Sequence, residues 1–413
     1  MRRKVGSLRP YFLKRSLSSA HSGRDRRIRA QSWLRWLGKK AIGPNESSSD
    51  LEAAFQIAKQ GSFWTIWPVL TNFQNRNVGI GPVIIEEELS LSREIGSMVP
   101  GKAVKVEAYC STANLGAGFD VFALALNKFA DRVQVRTTNT GTIKIKARGP
   151  FGRELPRARN KNSAGPPARA LLDRSGLHMG VEITLEKNVP PGLGLGSSGA
   201  TAAACTQAMN NLLQLDLSSD ELVQTASLGE AAVSGSAHTD NVGASLLGGF
   251  VIAYGKPLRT VSVKPPAKLS VVVVSPKTRL AKNKTSLARR LVPMKIETGN
   301  AVLNVGRASA ITLGFARGDL DMIGSGMEDA IAEPHRERLV PGYRAVKMIA
   351  LAAHASGVAI SGAGPSVVAF VDKTKHDPKK IGRVMVREFS KNNVESTFFV
   401  TGAAGGARVI RSE

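Results

Sequence analysis

Acidic side chains are in short supply in this 413-residue chain: 32 Asp and Glu stand against 57 Lys and Arg, for a net charge of +25. Cysteine is nearly missing. Cys110 and Cys205 are the only two, too few for a disulfide framework, and a reducing, cytoplasmic setting is the expectation. Cys205 reads as a small core residue, whereas Cys110 sits close to a candidate motif. No stretch of 18 or more apolar residues occurs, which predicts no membrane span. Tryptophan is absent after Trp67, all four copies lying at positions 33, 36, 64 and 67. Also absent is any G-x-x-x-x-G-K-[ST] sequence, which excludes a Walker A phosphate loop.

The charge is unevenly explained by the first segment. Residues 1–97 carry a net +8 and the remainder +17, so the rest of the chain is basic on its own account. That balance favours the approach of an anionic ligand, although a solvated basic surface accounts for it equally. Residues 1–40 hold 13 basic side chains and one acidic side chain, Asp25. Three readings stand for this segment: a targeting peptide, a basic arm for nucleic acid, or an optional extension preceding a natural start at Met98. The chain therefore divides into an extension (1–97) and two domains, 98–262 and 263–413.

Glycine is where the sequence becomes specific. Pro190, Pro191, Gly192, Leu193, Gly194, Leu195, Gly196, Ser197, Ser198, Gly199 and Ala200 follow a strand-like segment and run into a small-residue helix. Glycines let backbone N–H groups converge, and the free N–H groups and positive dipole end of the following helix add to them. The combination suits a phosphate. Gly194, Gly196 and Gly199 match the spacing of a dinucleotide fingerprint. However, residues 187–191 separate them from the strand, and no acidic residue ends a second strand about 20 positions on. That class is disfavoured. The helix, over 201–213, carries Ala200, Ala203, Ala204, Ala208 and Leu212 on one face for close packing on a sheet.

Elsewhere after residue 98, strands and helices alternate without repeats. Residues 104–109 read as a strand and 121–126 as an apolar run, and 133–137 with 142–147 as a hairpin around Asn139, Thr140 and Gly141. Ser218 and Glu221 form a capping box ahead of a stripe of Leu222, Ala226, Gly229 and Val233. Residues 251–254 and 271–274 are strand-like, with 256–267 a proline-bearing connection between domains. Helices are expected over 301–315 and 344–356. The class is α+β.

Three segments together carry a resemblance. Residues 110–120 read C-S-T-A-N-L-G-A-G-F-D, residues 189–200 contain the Gly-Leu-Gly-Ser-Ser loop, and residues 361–366 read S-G-A-G-P-S. In this order they are similar to the three signatures of the GHMP small-molecule kinases. The form of the first, and G-E-A-A-V-S-G-S-A-H-T-D-N over 229–241, resembles the homoserine kinases among them, with the likeness covering 104–410. The resemblance implies an N-terminal domain like the ribosomal-protein-S5 fold and a ferredoxin-like C-terminal domain. It further implies ATP and L-homoserine as partners, Mg²⁺ as cofactor, transfer of the γ-phosphate to the homoserine hydroxyl in threonine biosynthesis, and a homodimer.

The residue roles follow from that resemblance. The 190–200 loop wraps the ATP phosphates, Gly362 and Gly364 close over it, and Asn162 is the candidate for adenine. Ser198 and Glu230 hold the metal. A zwitterionic acceptor needs a carboxylate for its ammonium and guanidinium for its carboxylate. Asn114, Asp120, His238, Asp240, Thr285, Arg289 and Arg336 match the substrate positions, with Asn114, Asn241 and Arg289 nearest the chemistry. Asn241 stands where several relatives place a basic aspartate, and an amide is no proton acceptor. Transfer without a protein base is the expectation. Gly199 replaces the usual alanine, costing up to about 1 kcal/mol of helix propensity. The competing readings are another GHMP kinase, acting on shikimate or mevalonate, and nucleic-acid binding through the extension. The former acceptors have no use for paired acidic and basic side chains, and the latter is disfavoured.

Overall fold

Two sheets organise the protein, whose structure is a computed structural model describing residues 100–277 and 284–413. The expectations for residues 1–97 lie outside the described residues. The first sheet has seven strands: β1 (Ala103–Ala113), β2 (Phe122–Thr138), β3 (Ile143–Arg148), β4 (Gly180–Glu186), β5 (Phe250–Tyr254), β6 (Arg259–Val263) and β11 (Arg408–Ser412). Their order is β11-β1-β2-β4-β3, with β5 also pairing β2 and β6 pairing β5. The second sheet, β10 (Ser396–Thr401), β7 (Leu269–Pro276), β9 (Val367–Asp372) and β8 (Gly357–Ile360), is antiparallel in that order.

The hairpin expected over 133–147 does not form. β4 inserts between β2 and β3, antiparallel to the first and parallel to the second. Its first residue, Gly180, explains how: a Cβ there would lie 2.5 Å from the Thr142 carbonyl oxygen and 2.8 Å from Thr138 Oγ1, so only glycine fits between the two strand ends. The parallel β3–β4 pair requires a crossover, supplied by helix α1 (Gly165–Ser175). A second correction concerns 256–267, which is not a plain connection but contains β6. The domain division is also crossed by the chain: β11 returns to pair with β1, so the last strand of the 263–413 portion completes the first sheet.

Helix α2 (Ser197–Leu212) packs on β1 and β2. Its alanines at 200, 203, 204 and 208 are fully buried, and their small size lets the helix axis approach the sheet. Helix α3 (Ser219–Ser234) has the expected capping box at Ser218 and Glu221. Of its stripe, Leu222, Ala226 and Gly229 are buried, whereas Val233 is exposed because it faces the cleft described below. Helix α4 (Thr239–Leu247) follows.

In the second half come α5 (Lys284–Arg290), α6 (Thr298–Arg317), α7 (Leu320–Gly326), α8 (Glu333–Arg336), α9 (Tyr343–Ala352) and α10 (Pro378–Lys391). The second sheet is covered on both faces. Val272, Val274, Val367 and Val371 pack with Val346, Met385 and Phe389 from α9 and α10. Val271, Val273 and Phe370 on the other face join Ile311 and Phe315 of α6 and reach Leu124 and Phe250 of the first sheet and Leu195 of the phosphate loop. Phe250 and Phe315 stack with ring centroids 4.0 Å apart. One apolar cluster thus ties the two sheets together. Among the described residues no helix is long and apolar enough to cross a membrane.

Candidate active site

The three glycine-bearing segments, far apart in sequence, meet at the cleft. Gly192, Gly194 and Gly196 have φ of 77°, 78° and 60°, a left-handed region that glycine enters without steric cost. The loop they shape is held between two neighbours. A Cβ on Gly194 would strike the carbonyl oxygen of Ser361, and one on Gly196 would strike Ser111 Oγ. Ser361 Oγ donates to the Gly194 carbonyl oxygen at 2.6 Å and lies within hydrogen-bond distance, 2.9 Å, of Thr112 Oγ1. The Ser111 N–H donates to Leu195 O and the Gly362 N–H to Ala113 O. Strand β1 is therefore the seam on which the 190–200 loop and the 361–366 turn are sewn together.

These elements line a cleft of about 550 Å³. Facing it are Asn114, Asp120, Asn162, Pro191, Gly192, Gly194, Leu195, Gly196, Ser197, Ser198, Glu230, His238, Asp240, Asn241, Thr285, Arg289, Arg336, Gly362 and Gly364. Four of the sequence-assigned phosphate residues do not line it. Ala200 belongs to the core and Leu193 packs against it; Pro190 is buried. Gly199 is buried beneath the loop, where a Cβ would sit 3.4–3.5 Å from Asn241 and Glu230 Oε1. That is ordinary contact, so sterics leave room for the alanine it replaces.

Three asparagines have their amides engaged within the protein. Asn162 Nδ2 donates to Pro156 O and its Oδ1 accepts from Ala164 N, which fixes the wall of the cleft while leaving one amide hydrogen and one lone pair. Asn114, itself left-handed with φ 73°, donates to Gly362 O at 2.9 Å and accepts from Asp120 N. It staples the first glycine-rich segment to the third, leaving one amide hydrogen and one carbonyl lone pair for a ligand. Asn241 Oδ1 accepts from Ser111 Oγ at 3.0 Å.

Charge is concentrated and poorly solvated here. Glu230, on α3, is buried, and its Oε1 has no hydrogen-bond partner in the described structure. Burial pushes its carboxyl above the usual range, opposed by hydrogen bonding from Ser198. Asp240 is 1% exposed; burial first, then the negative charge of Asp120, raises it to about 7. Arg289 forms an ion pair with Asp120, and His238 Nδ1 lies 3.9 Å from the same carboxylate. The other ring nitrogen of His238 is buried without a hydrogen-bond partner among the described residues. Arg336 is buried, donating to Ala288 O and Gly362 O, and its guanidinium lies 4.7 Å from the centre of the Phe119 ring. Burial lowers its proton affinity. Buried charges that are not mutually satisfied destabilise a fold unless a ligand completes them.

Two residues at this cleft were not singled out from sequence: Lys187, which lines it, and Asp131, with which it forms a fully buried ion pair. The period-2 pattern contains the signal. Val181, Ile183 and Leu185 point inward along β4, and Lys187 holds the next inward position. On β2, Val133 and Val135 face inward, and Asp131 continues that parity. Cys110, by contrast, is core: its thiol donates to Leu126 O at 3.3 Å, and burial raises it to about 12. Cys205 is likewise buried.

Comparison with known proteins supports the same reading. Residues 164–249 match the model of the GHMP kinases N-terminal domain, and 311–391 that of the GHMP kinases C-terminal domain. A homoserine kinase of Sulfurisphaera tokodaii is 38% identical over 309 residues, covering 75% of this chain and 99% of that protein. One from Haloarcula marismortui is 39% identical over 307 residues, 74% of this chain and 99% of the relative. The crystal structure of homoserine kinase from Cytophaga hutchinsonii superposes with a TM-score of 0.68 at 34% identity, covering 75% of this chain and 97% of that one. A mevalonate kinase of L. major shares the fold at 15% identity and a TM-score of 0.54.

Proposed function

The chain belongs to the homoserine kinases of the GHMP kinase family, and from that premise we propose how its cleft transfers the ATP γ-phosphate to the side-chain hydroxyl of L-homoserine. The observation that carries the assignment is the convergence of Asp120, Asp240, Arg289 and Arg336 on the same cleft as the phosphate loop. That set suits a zwitterion and has no counterpart in the needs of a simple alcohol or hydroxy acid.

The backbone N–H groups of the 191–198 loop and the N-terminal end of α2 receive the triphosphate. Ser198 and Glu230 hold Mg²⁺. The fit rests on the orphaned Glu230 Oε1 and on the preference of this ion for few protein oxygens alongside phosphate and water. When bound, the ion neutralises charge on the transferring group. Asp240 and Asp120 hold the substrate ammonium, while Arg289 and Arg336 hold its carboxylate. Arg336 is braced for this by Phe119 and by two backbone carbonyls. Asn114 and Asn241 orient the hydroxyl. As its oxygen bonds to phosphorus and the bridging bond to ADP breaks, the hydroxyl proton passes to a γ-phosphate oxygen. Phosphorus NMR of a reaction with ATP and L-homoserine is expected to show a phosphomonoester. An acyl phosphate, or inorganic phosphate alone, would contradict the assignment.

The ammonium role of Asp240 gives a pH signature. With a carboxyl raised to about 7, Asp240 is neutral below that pH and anionic above it. Homoserine KM is thus expected to fall as pH rises from 6 to 8, and the Asp240→Asn variant to lose that dependence and bind homoserine about 10- to 100-fold more weakly. The stability sign runs the other way. A carboxyl raised on folding favours the folded state while protonated, so its contribution is lost as pH rises from about 4 towards 7. If Asp240→Asn leaves homoserine KM intact while kcat alone collapses, Asp240 is a base and the assignment is wrong.

A further inference from the structure

Between the phosphate loop and the core of the first sheet lies a buried cation that the transfer reaction does not use. Lys187 is 2% exposed, and its ammonium donates to Asp131 Oδ2, to the Ser197 carbonyl oxygen at 2.6 Å and to Thr201 Oγ1 at 2.9 Å. An ammonium has three hydrogens, and all three are placed. Asp131 is used as fully. Its Oδ1 accepts the backbone N–H groups of Asn188 and Val189, each at 2.9 Å, and its Oδ2 accepts from Lys187 and from Thr201 Oγ1 at 2.7 Å.

These bonds fall on the two ends of the phosphate loop. Asn188 and Val189 are its entry from β4; Ser197 and Thr201 are its exit into α2. Ser197 Oγ donates back to Val189 O at 2.9 Å and closes the ring. A lysine near a helix N-terminus opposes the helix dipole, so its placement there needs a compensating anion, which Asp131 provides. We propose that Asp131, Lys187 and Thr201 form a clamp that fixes the separation and orientation of the two ends of the loop, making Lys187 and Thr201 positioning residues for nucleotide. This deepens the kinase reading and rests on it only for the identity of the nucleotide.

The glycines at 192, 194 and 196 permit many backbone states, so the loop's shape is imposed from outside. Ser361 and Ser111 hold its middle, and its ends must be fixed as well. The clamp does so without contributing net charge, since the ammonium and carboxylate cancel.

The test is calorimetric titration of the full-length protein with MgADP, which needs no acceptor, together with steady-state kinetics. Lys187→Met would strand a buried carboxylate and is a hazard to folding, so Thr201→Val, which keeps the ion pair and nearly the volume, is the primary variant. It is expected to weaken MgADP binding and raise ATP KM about tenfold, with homoserine KM changed less than twofold. The Asp131→Asn/Lys187→Met double variant, which removes both charges, is expected to weaken MgADP further. Lys187→Arg, where the protein folds, is expected to restore only part of the affinity, since a planar guanidinium cannot reproduce three tetrahedral bonds. Unchanged MgADP affinity in folded Thr201→Val, or equal losses for nucleotide and homoserine, overturns the clamp. Failure of the wild type to use homoserine would overturn the acceptor assignment and leave the MgADP comparison intact.

Discussion

Glu230→Gln is expected to lower kcat by on the order of a thousandfold while making the unliganded protein more stable. The first half follows from the chemistry. Moving an anionic phosphoryl group off an anionic ADP leaving group depends on charge neutralisation, and Glu230 is a carboxylate facing the phosphate loop with an oxygen that has no hydrogen-bond partner among the described residues. An amide keeps the shape but offers only a weak, neutral oxygen. The second half follows from burial, the largest of the effects that raise the Glu230 carboxyl. Removing an incompletely paired buried charge commonly stabilises a fold by about 1 kcal/mol or more. Turnover with thermal unfolding of the same preparations checks both halves. A loss of activity accompanied by a lower Tm would mean that Glu230 is a structural residue.

Arg336→Met is expected to raise homoserine KM by about 100-fold or more, with ATP KM changed only a few-fold. Truncating one member of a buried charged contact costs about 2–5 kcal/mol, and every 1.4 kcal/mol is a factor of ten in affinity. The guanidinium is held against Phe119 and bonded to Ala288 O and Gly362 O, so its orientation is set before the substrate arrives. Lysine is not expected to substitute, because it lacks both the stacking plane and the fork. Steady-state kinetics with each substrate varied in turn separates the outcomes. Equal rises in both KM values would show that the change works through the Gly362 turn rather than the carboxylate.

The cleft was legible in the sequence where chemistry and backbone demand coincide. Gly194 and Gly196 cannot be replaced without collision, Ser218 with Glu221 caps α3 as local rules require, and the acidic and basic substrate positions stand inside recognisable motifs. What could not be read was non-local. Nothing in residues 133–147 shows that β4 inserts between its neighbours, because strand order is decided by a crossover helix and by space at Gly180. Lys187 lies outside any motif, and its meaning appears only when β2 brings Asp131 beside it. Asn162 and Asn114 also tie together the loops that carry them, a second role that depends on backbone contacts up to 248 positions apart.

The acceptor is the centre of the account, and a coupled assay of ADP release tests it most directly. L-homoserine, shikimate and mevalonate are offered separately to the full-length protein with ATP and Mg²⁺. Turnover is expected with homoserine alone, since only it carries the ammonium and carboxylate that Asp120, Asp240, Arg289 and Arg336 are arranged to hold. Turnover with shikimate or mevalonate and none with homoserine would contradict it.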